Sequence, residues 1–271
     1  MTKKVFASFL LALLLCIPSA YGYQTTLDQL INWSLGPGET PNPNNTPSFI
    51  VGDKIFYGFF FTATPSSSCT QANGCFWASD PTAIAVEPMY WGSNPSGYPS
   101  SGDPLIPTIR FEGTIGYLTL DSNSSLPAVA ADVRLGYYVK TDTGLPLIKD
   151  IHQHFNAAIS GFGSNVSVKE QVYTGPQGTL IGQSTLIANV NDVVDPPGEA
   201  DQNDILDLID APYSQVYVEK DIQLFAVKGG LAGISIEDQG ISQVPEPGFY
   251  GALALGLSGL VLAFRRRSAA K

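Results

Sequence analysis

VYVEKDIQLFA, Val216–Ala226, decides the fold. Val216, Val218, Ile222 and Leu224 fall on one side at period two, and Tyr217, Glu219, Asp221 and Gln223 fall on the other. Successive side chains of a strand point to opposite faces, so this pattern reads as a half-buried β-strand. The same alternation recurs. Val133, Leu135, Tyr137 and Val139 share a side, and Asp142-Thr143-Gly144 supplies a turn after them. Val166, Val168 and Val172 alternate with polar neighbours, and Gly175-Pro176-Gln177-Gly178 turns the chain towards Leu180 and Ile181. In FIVGDKIFYGFFFTA, 49–63, period two places Phe49, Val51, Ile55, Tyr57, Phe59 and Phe61 together. Asp53 interrupts them beside Gly52, where a bulge or turn is expected. Ile234 and Ile236 read as a final short strand.

Many short strands separated by Gly, Pro and Asn turns predict an all-β fold, an antiparallel β-sandwich of jelly-roll type. The expected exception is a short opening helix. Thr26 with Gln29 three residues on forms a capping box, and Leu27, Leu30 and Ile31 share a face. A Pro/Asn/Gly loop follows over 36–47.

The two ends read as addresses rather than as fold. Lys3 and Lys4 precede an apolar run, Val5–Ile17, and small residues follow at Ala20 and Gly22. That order predicts a secretory signal peptide over 1–22, with Tyr23 as the mature start. The run is too short for a membrane helix: its 13 residues rise only about 20 Å against a hydrocarbon core of roughly 30 Å. At the other end, Pro245-Glu246-Pro247 precedes Gly248–Phe264, 17 residues without a charge, and Arg265, Arg266 and Arg267 follow at once. As a helix the apolar run rises about 25 Å, enough for a short transmembrane segment with its arginines on the cytoplasmic side.

The triplet, the apolar run and the arginine cluster, in that order over 245–271, resemble the PEP-CTERM sorting domain of bacterial envelope proteins. That resemblance implies processing by exosortase, a membrane transpeptidase-like protease. It also implies an association with exopolysaccharide and biofilm, and a place in the cell envelope or extracellular matrix of a Gram-negative-type bacterium. VGDKIFYGFFF (51–61), VYVEKDIQLFA and GISIEDQGISQVPEP (233–247) are similar to a recurring architecture among PEP-CTERM proteins, to which no activity is attached.

Between the two ends lies a body, 23–244. It holds eight lysines and arginines against 23 aspartates and glutamates, a formal charge of −15. Such a surface argues against nucleic acid and anionic membranes as partners and permits divalent cations or basic ones. Its only cysteines, Cys69 and Cys75, are expected to form a disulfide in an exported chain.

Candidate chemistry is sparse. His152 and His154 are two apart, so on a strand both would face one side and could share a metal. The glutamate that would complete a cupin-like set is missing, since Phe155, Asn156, Ala157 and Ala158 follow and the first glutamate is Glu170. Asp192, Asp195, Glu199, Asp201, Asp204, Asp207 and Asp210 put seven acids into 19 residues. Calcium wants clustered oxygens, but Asp201-Gln202-Asn203-Asp204 misses the EF-hand spacing. Pro196, Pro197 and Gly198 point to a charged loop instead, with calcium as the alternative and no other cofactor expected. No Gly-x-Ser-x-Gly elbow occurs. Trp33, Trp77, Trp91 and several tyrosines could stack on sugars. The reading is a non-enzymatic envelope or matrix protein. A carbohydrate-binding module and a secreted polysaccharide-active enzyme are the two alternatives.

Overall fold

The computed structural model describes residues 25–32, 48–91, 106–141, 147–175, 178–190, 198–243 and 258. The expected signal peptide and, Ser258 apart, the expected sorting segment lie outside the described residues. In chain order the elements are β1 (Thr25–Thr26), α1 (Leu27–Asn32), β2 (Ser48–Val51), β3 (Lys54–Pro65), β4 (Cys75–Ala78), β5 (Ala85–Trp91), β6 (Ile106–Leu120) and β7 (Ala128–Thr141). Then follow β8 (Ile148–Ser160), β9 (Asn165–Tyr173), β10 (Leu180–Asn189), β11 (Gly198–Asp207), β12 (Gln215–Val227) and β13 (Leu231–Gln243). Among the described residues the strands form two antiparallel sheets. The seven-stranded sheet runs β1-β5-β6-β13-β8-β11, with β4 also on β6; the six-stranded sheet runs β10-β9-β12-β7-β3-β2. The expected all-β sandwich is present.

The capping box of α1 forms. The Thr26 backbone N–H donates to Gln29 Oε1 at 3.1 Å, and the Gln29 N–H donates to Thr26 Oγ1 at 3.3 Å. Cys69 and Cys75 are bonded, with Cα atoms 5.0 Å apart. Val133, Leu135, Tyr137, Val139, Val166, Val168, Val172, Val216, Val218, Ile222 and Leu224 are all buried between the sheets. They face Ile109, Phe111, Leu118, Ile151, Phe155 and Ile159 of the opposite sheet. The Phe59 and Phe111 rings pack 5.6 and 5.8 Å from Tyr137. The Tyr137 hydroxyl donates to Gln239 Oε1 at 3.1 Å.

Three expectations are corrected. Period two does not run unbroken from Phe49 to Phe61. Gly52, at φ 59°, turns β2 back onto β3, so Phe49 pairs with Phe56 and Val51 with Lys54. Ile55 and Tyr57 therefore face outward, while Phe56 is buried. A bulge at Gly58, φ 63°, then resets the phase so that Phe59 also points inward. The final strand is not short: β13 runs 13 residues. Its register shift between Ile234 and Ile236 buries the first and turns the second outward. The acidic run is not a loop throughout, because Glu199, Asp201, Asp204 and Asp207 lie on β11, paired with β8. Asp192 and Asp195 lie outside the described residues.

The interior also holds charge. Lys220 Nζ donates to Glu170 Oε2 at 2.6 Å and to Glu237 Oε1 at 2.5 Å, with all three side chains at 0% exposure. Glu170 and Lys220 belong to the six-stranded sheet and Glu237 to the other, so the ammonium ties the sheets together. Two carboxylates on one ammonium leave an excess negative charge in a low-dielectric site. Glu170 Oε1, Glu237 Oε2 and Gln153 Oε1 find no donor among the described residues. Burial, with Glu170 and Asp238 nearby, outweighs the Lys220 ammonium and pushes the Glu237 carboxyl up to about 7.

The sign follows. A carboxyl whose pKa is raised by folding stabilises the fold most below its unfolded value, near 4.5, and loses that contribution as pH rises through about 7. The total is on the order of 3 kcal/mol, at about 1.4 kcal/mol per unit. Glu237→Gln keeps the shape and removes the titration. Urea denaturation from pH 5 to 8 is expected to show stability falling with pH in the wild type and a flatter profile in this variant. An unchanged slope would place the proton elsewhere.

Candidate functional site

Lys220 and Glu170 point inward, so their neighbours point out. On the outer face of the six-stranded sheet, Tyr57 pairs with Tyr138, Tyr138 with Tyr217, and Tyr217 with Tyr173. Four strands thus each contribute one tyrosine to a single cross-strand row. Tyr57 and Tyr138 have centroids 5.0 Å apart at 14° between planes. Tyr138 and Tyr217 are 5.1 Å apart at 56°, and Tyr217 and Tyr173 6.2 Å apart at 42°. The first pair is stacked and the other two are tilted, so the row is a continuous run of ring contacts in mixed orientations. Tyr217 is buried within the row at 8% exposure, while Tyr57, Tyr138 and Tyr173 are half-buried, so three of the four rings present accessible surface over roughly three strand spacings of ~4.8 Å. Lys140 Nζ sits 5.2 Å from the Tyr57 centroid, a cation over one end of the row.

Glycine makes the row fit. The bulge at Gly58 lets Tyr57 and Phe60 both face outward, and a Cβ there would come within 2.9 Å of the Tyr138 ring. In the next row Phe60 lies across Gly136, where a Cβ would meet its ring carbon at 2.0 Å. That row continues through Glu219, Gln171 and Gln183, with the Gln171 amide donating to Gln183 Oε1 at 3.2 Å. The row beyond holds Arg134, Asp221 and Lys169. A band of rings is therefore bordered by fixed amides and carboxylates, groups that hydrogen-bond hydroxyls.

Burial raises the row's phenols. Tyr57, Tyr138 and Tyr173 ionise above the usual tyrosine value, and burial together with Glu219 pushes Tyr217 up to about 12. All four hydroxyls stay protonated at neutral pH and can both donate and accept.

The histidines sit on the other sheet. His152 and His154 share the outer face of β8, as their spacing predicts, but each is held by a carboxylate. His152 Nε2 lies 2.9 Å from Asp150 Oδ1, and His154 Nδ1 lies 3.0 Å from Asp238 Oδ2. Arg110 grips the same Asp238 through two bonds, 2.7 and 2.8 Å, and these cations hold its carboxyl below the usual range despite burial. Ser242 also donates to Asp150, so hydroxyl and imidazole share one carboxylate oxygen instead of meeting each other. That is not the order of a nucleophilic triad. Among the described residues, no three His, Cys, Asp or Glu side chains converge to hold a metal ion. Asp204 accepts from Ser184, and Asp207 lies 4.0 Å from Lys149.

Trp77 is half-buried against the core beside the disulfide; Trp33 and the Trp91 side chain lie outside the described residues, as do Pro245, Glu246, Pro247, Arg265, Arg266 and Arg267. The tyrosines were visible in the sequence as sugar-stacking types. Their alignment was not, because it depends on the register of four strands far apart in the chain.

No protein-family model matches the chain, and no curated protein matches its sequence. Among solved structures it is similar to TmCBM61 in complex with β-1,4-galactotriose, at 13% identity and TM-score 0.26, over 66% of this chain and 97% of that one. It is also similar to a CBM4 structure at 10% identity and TM-score 0.26, over 69% and 86%. A third is tailspike protein 4 of bacteriophage CBA120, at 10% identity and TM-score 0.30, over 67% of this chain but 19% of the other. Matches this distant carry no argument about what the chain binds.

A spectrophotometric titration checks the electrostatics of the row. Tyr217→Phe is expected to remove a phenol that ionises near pH 12. Loss of a group ionising near 10 instead would show that Tyr217 is freely hydrated. Raised phenol values also mean that the row's contribution to stability holds below about 10 and is lost as pH climbs towards 12.

Proposed function

We propose that the body is an exported, non-enzymatic glycan-binding β-sandwich, and that the tyrosine row is its binding face. The observation that carries this is the alignment of four tyrosines across β3, β7, β12 and β9, bordered by Glu219, Gln171 and Gln183. Sugars present alternating C–H and hydroxyl surfaces. A row of phenols meets the first with exposed ring surface and the second with its own hydroxyls, and the neighbouring amides add donors and acceptors. The length of the row suits an extended chain of about three sugar rings. The body's charge of −15 favours a neutral glycan over an anionic one.

Affinity electrophoresis in gels containing neutral or anionic polysaccharides tests this reading. A neutral polymer is expected to retard the protein, and alginate is not. Tyr57→Ala and Tyr173→Ala, at the two ends of the row, are each expected to weaken retardation about tenfold, or ~1.4 kcal/mol, while Tyr→Phe keeps much of it. Unchanged mobility in the alanine variants would end the assignment.

Delivery is part of the proposal. The Pro245–Pro247 triplet, the apolar run and the arginines support export followed by exosortase processing at the membrane, leaving the body in the envelope or matrix near exopolysaccharide. C-terminal peptide mass spectrometry on the exported protein is expected to find chains lacking 248–271. Intact tails carrying Arg265 at the cell surface would make the segment a plain anchor.

A further inference from the structure

The far end of the sandwich carries a second concave surface. An open groove of about 940 Å³ lies beside the Cys69–Cys75 bond, with Gly229 and Gly230 of the β12–β13 turn at its rim. Phe76 on β4 pairs with Thr119 on β6, Thr119 with Leu231 on β13, and Leu231 with Ser160 on β8. These four line the groove as one cross-strand row on the outer face of the seven-stranded sheet. Phe76 is 58% exposed, a large ring left in solvent, braced edge-on against Tyr117 with centroids 6.1 Å apart. Gln71 and Ser122 add polar groups, and Asp121 is the single charged lining residue among the described ones.

The walls are fixed. The disulfide closes the 69–75 loop, the Asn73 amide donates to the Ser68 carbonyl at 2.9 Å, and the Asp121 N–H donates to the Gly74 carbonyl at 2.8 Å. Preformed walls spare a ligand the entropy of ordering them. The volume falls within the roughly 300–1,000 Å³ of small-molecule sites. An exposed ring among hydroxyls and an amide, with no cation in the lining, does not suit an anion or a lipid. It suits a neutral saccharide.

Position gives the groove its use. From Tyr217 to Val227, β12 runs ten residues, so at about 3.3 Å per residue roughly 30 Å of strand separates the tyrosine row from the groove end. The two surfaces also open on opposite sheets. We propose that the groove is a second neutral-glycan site and that the protein is a two-ended cross-linker of polysaccharide chains. This rests on the glycan-binding reading of the tyrosine row. Two sites facing apart cannot both be filled by one short segment, so filling both joins separate chains or distant parts of one. Linking sites in this way multiplies retention without new contacts.

The test uses the full chain as expressed and exported, with hydroxyethylcellulose, β-galactan, xylan and glucomannan as probes. Affinity electrophoresis reads binding, and turbidity across a range of protein-to-polymer ratios reads bridging. The wild type is expected to bind at least one probe and to give a turbidity maximum at an intermediate ratio. Phe76→Ala, at an exposed position, is expected to keep binding, weakened several-fold, and to lose the turbidity maximum; Phe76→Tyr restores it. A Tyr57→Ala/Tyr173→Ala variant is expected to do the same from the other end. If Phe76→Ala matches the wild type in both readouts, the groove is not a site and the tyrosine row stands alone. If Phe76→Ala abolishes binding and the tyrosine variant is unaffected, the groove binds, the tyrosine row does not, and there is no cross-linker. If no probe retards the wild type, both assignments fall.

Discussion

Lys220, between Glu170 and Glu237, fixes how the two sheets meet. Apolar faces can slide over one another with little change in buried area, because hydrophobic attraction has no direction. An ammonium held at 2.5–2.6 Å by carboxylates from both sheets has direction. Removing one partner of a buried set of this kind costs about 3–5 kcal/mol, since it strands a charge, so an offset that separates them is heavily disfavoured. The strand phases follow. With Glu170 and Lys220 inward, Tyr173, Gln171, Tyr217 and Glu219 must be outward, and a one-residue slip would exchange the two sets. Glu237 inward likewise sends Asp238 outward to Arg110 and His154. The outer faces inherit their register from a charge cluster that no solvent touches.

That cluster is also where the sequence was hardest to read. The valines of β9 and the aliphatics of β12 declared their faces plainly, and the capping box and the cysteine pair were legible from local spacing. Glu170 and Lys220 sit at the position that each alternating series skips. A lone charge within an apolar series reads as a break, and only partners from other strands show that it continues inward. The length of β13 was hidden for the same reason: Glu237 and Gln239 are polar yet buried, at 0% exposure. In β3 the bulge at Gly58 changed phase mid-strand, which strict alternation cannot anticipate. β11 was masked by its acids, which pair along β8 instead of forming a loop.

The two outer faces differ in kind. On the seven-stranded sheet the ionisable groups are committed to one another: Arg110 and His154 to Asp238, and His152 and Ser242 to Asp150. Groups held this way stiffen a surface. On the six-stranded sheet the tyrosine row is uncharged at neutral pH and is flanked by amides, by Glu219 and Lys140, and by a charged row of Arg134, Asp221 and Lys169. That face is the one on which the proposed recognition of hydroxyl-rich polymers rests.

The two kinds of site also respond to different pH ranges. The row phenols ionise above the usual tyrosine value, with Tyr217 near 12, so that face keeps its hydroxyls protonated through neutrality. The interior is not constant, because Glu237 changes charge near 7. When it ionises, the cavity around Lys220 takes on a net negative charge, against a low dielectric and against Glu170 on the neighbouring sheet. The Lys220 contact itself favours the ionised carboxyl while burial and Glu170 oppose it, so what changes is the stability of the interior, not the binding groups themselves. On the glycan-binding proposal, any change in binding between pH 6 and 8 travels through the packing of β12 and β9 beneath the tyrosines. It should disappear in a protein whose residue 237 cannot titrate.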